Sequence, residues 1–197
     1  MVAGTRKIVF ERGFETREYA FPYYSLKLES ASKLIYKFSS HIEAILSTDP
    51  ALCNSLQHFE ILNAGLVNNT SINKLSKACP GLVHVCLSVD PLKGKIGDVA
   101  VLALLRGCVG LRFLSVRGGK VTGGVVEKMD EDRNLGARLE KLCLLAQEEG
   151  GEWEEKVRAL SGARRRLHIE IGEGEGIVGV WKGGKEQVLL SVSKEME

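Results

Sequence analysis

No apolar run in the sequence is long enough to cross a membrane. The longest, Val99 to Leu105, falls far short of the roughly 20 residues that a spanning helix needs. No secretory leader is expected either, because Ile8 to Phe10 is a triplet where a leader core holds about 7–15 apolar residues. The sequence has no Cys-x-x-Cys pair, and its cysteine count of 5 is odd. Both facts argue against a disulfide framework or a structural zinc finger and in favour of reduced thiols. Neither sign of charge dominates: Lys+Arg 27 against Asp+Glu 25 leaves +2. That imbalance is too small for a chain whose work is to coat nucleic acid or an anionic membrane. These absences leave an intracellular protein, cytoplasmic or nuclear, with neither membrane nor nucleic acid as its partner. At 197 residues, 44% of them hydrophobic, the chain suits one substantial globular domain.

What is present is a repeat. Leu56-Gln-His-Phe59-Glu-Ile61, Leu82-Val-His-Val85-Cys-Leu87, Leu111-Arg-Phe-Leu114-Ser-Val116 and Leu139-Glu-Lys-Leu142-Cys-Leu144 share the pattern Leu-x-x-Φ-x-Φ, where Φ is apolar. Their first leucines stand 26, 29 and 28 residues apart. Weaker copies flank them at Tyr23-Tyr-Ser-Leu26-Lys-Leu28 and Arg164-Arg-Arg-Leu167-His-Ile169. A second feature keeps the same phase: Cys53, Cys79 and Cys108 each lie three residues before the repeat leucine, and Gly136 takes that place in the fourth copy. Ile72, Leu75 and Cys79, like Val101, Leu104 and Cys108, follow the i, i+3, i+7 spacing of one helix face. The unit therefore reads helix, Cys-x-x, short strand, loop, and the cysteines read as core residues, a free thiol behaving as a small hydrophobe.

The shape follows from two spacings. Parallel strands pair about 4.8 Å apart, whereas helices with their side chains are about 10 Å across. An array of such units must bend, with the sheet on the inner arc. No unit buries its own apolar face, so stability comes from neighbours and the ends need caps.

Lys77-Ala78-Cys79-Pro80-Gly81-Leu82 and Arg106-Gly107-Cys108-Val109-Gly110-Leu111 carry the closest resemblance to the leucine-rich-repeat family, specifically its cysteine-containing subtype. The resemblance spans about Tyr23 to Ile171. It implies an α/β solenoid, a right-handed superhelix with a curved parallel sheet and helices on the convex side. The division expected is residues 1–22 as an N-terminal cap or extension, 23–171 as about six repeats with the first and last degenerate, and 172–197 as a β-hairpin cap. Ile177 to Trp181 and Val188 to Val192 alternate like strands around Gly183-Gly184, which supports that cap. Asn63 matches the Asn-bearing ribonuclease-inhibitor-like subtype at one place only. The cysteine subtype is known from the substrate-binding halves of F-box proteins, the receptor subunits of cullin-based ubiquitin ligases. Residues 1–22 are too few for an F-box module, hold no Leu-Pro pair, and read as strand pieces at Lys7 to Phe10 and Arg17 to Phe21.

Strand positions between the buried ones point to the concave face. These are Ser25, Lys27 and Glu29; His58, Glu60 and Leu62; His84, Cys86 and Ser88; Phe113, Ser115 and Arg117; Lys141, Cys143 and Leu145; and Arg166, His168 and Glu170. Partner contacts are expected from His58, Glu60, His84, Cys86, Phe113, Ser115, Arg117, Lys141, Cys143 and His168, with His58, His84, Phe113 and Cys143 at the centre. The implied function is protein recognition on that face by a monomer, as an F-box-like substrate receptor or regulator in ubiquitin ligation. The alternative is a GTPase-activating or other catalytic protein of the same architecture. No enzyme chemistry, cofactor or metal is expected. His58 and His84 lack a third ligand, and Asp90, Asp98 and Asp130 fall in separate predicted loops and form no acid/base pair. Gly118-Gly119-Lys120-Val121-Thr122 lacks the Gly-Lys-[Ser/Thr] step of a phosphate loop, and Gly172-Glu-Gly-Glu-Gly176 carries carboxylates that repel phosphate. Both glycine stretches read as turns. Glu148, Glu149, Glu152, Glu154 and Glu155, with Arg158 and Arg164 to Arg166 after them, read as a solvated, salt-bridged face; the alternatives for the basic trio are contact with an acidic partner or a weak nuclear signal.

Overall fold

The computed structural model describes residues 7–12, 25–30, 53–54, 56–64, 67–89, 96–147, 153–173 and 176–187. The predicted strand pieces at Arg17 to Phe21 and Val188 to Val192, and the acidic residues Glu148, Glu149 and Glu152, lie outside them, as does Asp90. The elements run β1 (Lys7–Arg12), β2 (Ser25–Ser30), β3 (His58–Ala64), α1 (Asn69–Ala78), β4 (His84–Val89), α2 (Asp98–Gly107), β5 (Phe113–Val121), α3 (Gly124–Glu131), β6 (Lys141–Gln147), α4 (Trp153–Ala163), β7 (His168–Glu173), β8 (Gly176–Lys182) and β9 (Lys185–Glu186). The fold is α/β. One nine-stranded sheet has the order β2-β1-β3-β4-β5-β6-β7-β8-β9, parallel from β2 to β7 and antiparallel over the last two pairings. No helix among the described residues is long and apolar enough to cross a membrane.

The repeat is visible in hydrogen bonds before it is visible in shape. Ahead of each strand the repeat leucine donates its N–H three residues back: Leu56 to Cys53 at 3.4 Å, Leu82 to Cys79 at 3.3 Å, Leu111 to Cys108 at 2.9 Å and Leu139 to Gly136 at 3.0 Å. Leu167 does the same to Arg164 at 2.8 Å. All five leucines are buried in one continuous core. Behind them the register aligns Phe59, Val85, Leu114, Leu142 and Ile169 as one rung and Leu87, Val116, Leu144 and Ile171 as the next. These side chains face the helices, whose buried Ile72, Leu75, Val101, Leu104, Val125, Met129, Val157 and Leu160 complete the core.

In α1 and α2 the cysteine position caps the helix, and Cys108 reaches back to its predecessor. Cys79 and Cys108 donate their N–H groups to Leu75 and Leu104, closing α1 and α2. The Cys108 thiol lies 3.6 Å from the Cys79 carbonyl oxygen. Burial above all, together with the neighbouring Cys53, pushes the Cys79 thiol up, and burial pushes Cys108 up to about 12. These are packing groups, not thiolates. All five cysteines are free.

Helix starts join neighbouring repeats as well. Asn69, first residue of α1, accepts the Gly97 N–H at 2.8 Å, and Asp98, first residue of α2, accepts the Thr122 N–H at 2.6 Å. Asp98 is thus a structural acceptor on a helix, and Asp130 also lies on a helix, α3, rather than in a loop.

Three placements depart from the sequence reading. β1 corresponds to the strand expected at Lys7 to Phe10, but it lies inside the sheet, so β2 is not the neighbour of β3. Its Lys-Ile-Val-Phe alternation suits a rung: Ile8 is in register with both Leu26 and Phe59. The last repeat is shorter by one residue between its leucine and its rung residue, since Leu167 stands two before Ile169 where Leu139 stands three before Leu142. This moves Arg166 off the strand into the preceding exposed turn and puts His168, not Arg166, beside Lys141. Gly118 and Gly119 form no separate turn: they sit within β5 at φ 73° and 96°, where its register with β6 shifts.

Two antiparallel strands end the described sheet. β8 covers the edge of β7, and a Gly183-Gly184 turn leads to β9. Trp181 of β8 is buried in the core, and the Gly184 N–H donates to the Ser161 hydroxyl of α4 at 3.1 Å. The hairpin is thereby tied to both layers and covers an edge that would otherwise expose a row of backbone donors and acceptors.

Candidate functional site

The face of the sheet away from the helices carries the predicted residues in two clear rows. The parallel register places His58, His84, Phe113, Lys141 and His168 side by side, and Glu60, Cys86, Ser115, Cys143 and Glu170 in the row behind. Ser88, Arg117 and Leu145 form a shorter third row. Adjacent positions on neighbouring strands bring side chains into contact because the strands are only about 4.8 Å apart.

In the first row that contact is a stack of rings. His58 and His84 lie with centroids 4.0 Å apart and planes 10° from parallel, and His84 and Phe113 with centroids 4.0 Å apart and planes 5° from parallel. The Lys141 ammonium sits 5.9 Å from the Phe113 ring centre, at the outer range of a cation–π contact. It also bonds the Glu170 carboxylate at 2.6 Å, which meets His168 Nε2 at 3.0 Å. At the other end Glu60 approaches His58 Nε2 at 3.9 Å. The row is an aromatic column with a charged network at one end, and Arg117 stands exposed in the third row.

Not every predicted contact residue is at the surface. Ser115 and Cys143 are each 3% exposed, so these two are buried rather than presented, as is Leu145 of the same face at 1%. Cys143 therefore belongs to the floor, not to the centre of a recognition surface. Burial pushes its thiol up to about 11 despite the Ser115 hydrogen bond, which acts in the other direction. His58, Glu60, His84, Cys86, Phe113, Lys141 and His168 are half-buried. Among the described residues no three His, Cys, Asp or Glu side chains are grouped to hold a metal ion.

Glu170, which alternation places on this face outside the expected contact set, joins Lys141, His168 and Cys143 in one network. Burial raises its carboxyl pKa, but the Lys141 hydrogen bond and charge outweigh that, and the group ends below its ordinary value of 4.5. With the folded value below the unfolded one, the group adds stability above about pH 4.5 and loses it as pH falls through the folded value. Urea midpoints of the wild type are therefore expected to fall between about pH 5 and pH 3 more steeply than those of Glu170→Gln. Equal slopes would place Glu170 outside the network.

Arg164 is committed to the fold rather than to a solvated surface. It occupies the phase of the cysteines, three residues before Leu167, and like Cys108 it reaches back to the preceding cap. Its guanidinium donates to the carbonyls of Leu135 at 2.7 Å, Gly136 at 3.2 Å and Asp132 at 3.1 Å, and also to Met129. The signal was there in the spacing, but a basic triplet reads more readily as surface. No protein-family model and no curated protein sequence matches this chain.

Proposed function

We propose that the chain is a leucine-rich-repeat recognition module of the cysteine-containing kind, coiled as a right-handed α-β solenoid with the open sheet face on its inner arc. The recurring turn before each leucine, the cysteine caps and the unbroken register from His58 to His168 support that architecture. Its work is to bind a protein partner, as an F-box-like substrate receptor or regulator in ubiquitin ligation, without chemistry of its own. The single observation that carries the binding reading is the aromatic column, His58, His84 and Phe113, flanked by the Lys141–Glu170 pair. Half-buried rings anchor a partner with little loss of side-chain freedom, and the charges around them select it. The buried thiols suit a reducing compartment.

Two measurements test it. Affinity capture from source cells under proteasome block is expected to recover the cullin-linked adaptor together with the chain, and its consistent absence would remove the ligase assignment. For the face itself, Phe113→Ala combined with Arg117→Glu is expected to weaken the captured partner by about tenfold or more, with the melting temperature nearly unchanged. Undiminished binding would move the contact surface elsewhere.

A further inference from the structure

Where α3 and α4 hand over to β6 and β7, the turns line a half-open cavity of about 560 Å³. Four arginines line it, Arg133 from the turn after α3 and Arg164, Arg165 and Arg166 from the turn after α4, with Asp130 as the one carboxylate. Arg164 is committed to its carbonyls, but Arg133, Arg165 and Arg166 are exposed, and their side chains make no hydrogen bond or ion pair among the described residues. Three unopposed guanidinium groups around one mouth are costly to collect and are a chemistry that recognises oxyanions in forked, two-bond geometry.

We propose that this cavity is a binding site for a phosphomonoester carried on a small apolar group. Charge selects the dianion: three free guanidiniums leave an excess of positive charge even after Asp130 is counted, more than a single carboxylate satisfies. Size and lining select the apolar carrier. The volume lies in the range of about 300–1,000 Å³ typical of small-molecule sites, well above what a bare oxyanion fills. Between the arginines the lining is the exposed methyls of Ala137 and Ala163, with Leu139 and Leu167 buried behind them.

The site is also set in place before any ligand arrives. Both turns are fixed by backbone bonds, Leu139 to Gly136 at 3.0 Å on one side and Leu167 to Arg164 at 2.8 Å on the other. Arg164 bridges them by grasping carbonyls of the opposite turn, so the walls are tied together and the backbone needs no reordering on binding. None of this rests on the reading of the open sheet face.

Calorimetric titration of the full chain with phenyl phosphate, benzoate and inorganic phosphate tests the assignment. Phenyl phosphate is expected to bind at least about tenfold more tightly than either other probe, and more weakly as salt is raised. The triple variant Arg133→Gln, Arg165→Gln, Arg166→Gln is expected to lose about tenfold or more while keeping its melting temperature, since all three side chains are exposed. Should the triple variant not fold, Arg166→Gln alone carries the comparison, with a loss of about threefold expected. Benzoate binding as well as phenyl phosphate, no heat from phenyl phosphate, or variants that bind as wild type would each overturn the proposal. A blocked phosphotyrosine peptide run beside phenyl phosphate separates the two sources of the same chemistry. Tighter peptide binding assigns a protein-borne phosphate, and equal or weaker binding a free small molecule.

Discussion

Leu111→Ala is expected to cost about 4 kcal/mol of folding stability, within the roughly 2.7–5 kcal/mol that buried Leu→Ala changes cost in a rigid core. Leu111 is 1% exposed and lies in a central repeat, with Leu82 and Leu139 on the flanking rungs. Repeat units bury their apolar faces on neighbours, so a cavity there loosens two junctions at once. The void has no easy way to collapse, because the turn of Leu111 to Cys108 and the ladder on both sides hold the backbone in place. Leu139 is the informative contrast. It lines the arginine-rimmed cavity, where solvent can follow a retreating side chain, and its alanine variant is expected to cost about 2–3 kcal/mol. Urea unfolding of both, with the exposed Val109→Ala as the surface control, measures the difference. A Leu111→Ala cost within about 1 kcal/mol of that control would mean that this leucine does not occupy a core rung.

The repeat was legible because periodicity of apolar residues is a property of the chain that tertiary packing preserves. Leu56, Leu82, Leu111 and Leu139 each need the same neighbours, and the strand alternation after them fixes which side chains share the open face. The pairing of His58 with His84 and Phe113 follows from that alone. What was not legible depends on choices between structures of similar local pattern. Lys7 to Phe10 alternates like any edge strand, and nothing local says that it slots between β2 and β3. The repeat leucine of the last unit is Leu167, three residues beyond the Arg164 that its alignment suggests, and one residue fewer separates it from its rung. The strand therefore sits two residues along from expectation, and every side chain keeps its face while changing its partner. Burial of Ser115 and Cys143 on the open face depends on their surroundings in three dimensions, whereas alternation reports only which face they take. Arg164 was hidden by chemistry: its spacing matched the cysteines, but a guanidinium and a thiol look unrelated until both are seen to meet the carbonyl of the preceding cap.

Gly118→Ala is expected to be nearly as damaging as a core deletion, at about 3 kcal/mol, through two separable effects. The first is conformational. Gly118 has φ 73°, and an L side chain in that region costs about 1–2 kcal/mol. The second is steric: a β-carbon there would lie 2.1 Å from the backbone oxygen of Val89, an overlap costing about 1–3 kcal/mol to relieve. Val89 ends β4, so its carbonyl cannot withdraw without disturbing the strand that pairs with β5. Gly183→Ala separates the two effects, because Gly183 has φ 62° in the hairpin turn with no atom within 4 Å of the added carbon. Only the conformational cost applies there, about 1 kcal/mol. The gap between the two variants measures how closely β5 passes β4 just beyond Arg117, where the third row of the open face ends. If Gly118→Ala costs no more than Gly183→Ala, the strands are not in that close approach and the shift of register with β6 needs another origin. If the gap is found, the backbone just after Arg117 is held in a close approach to β4 that only glycine permits.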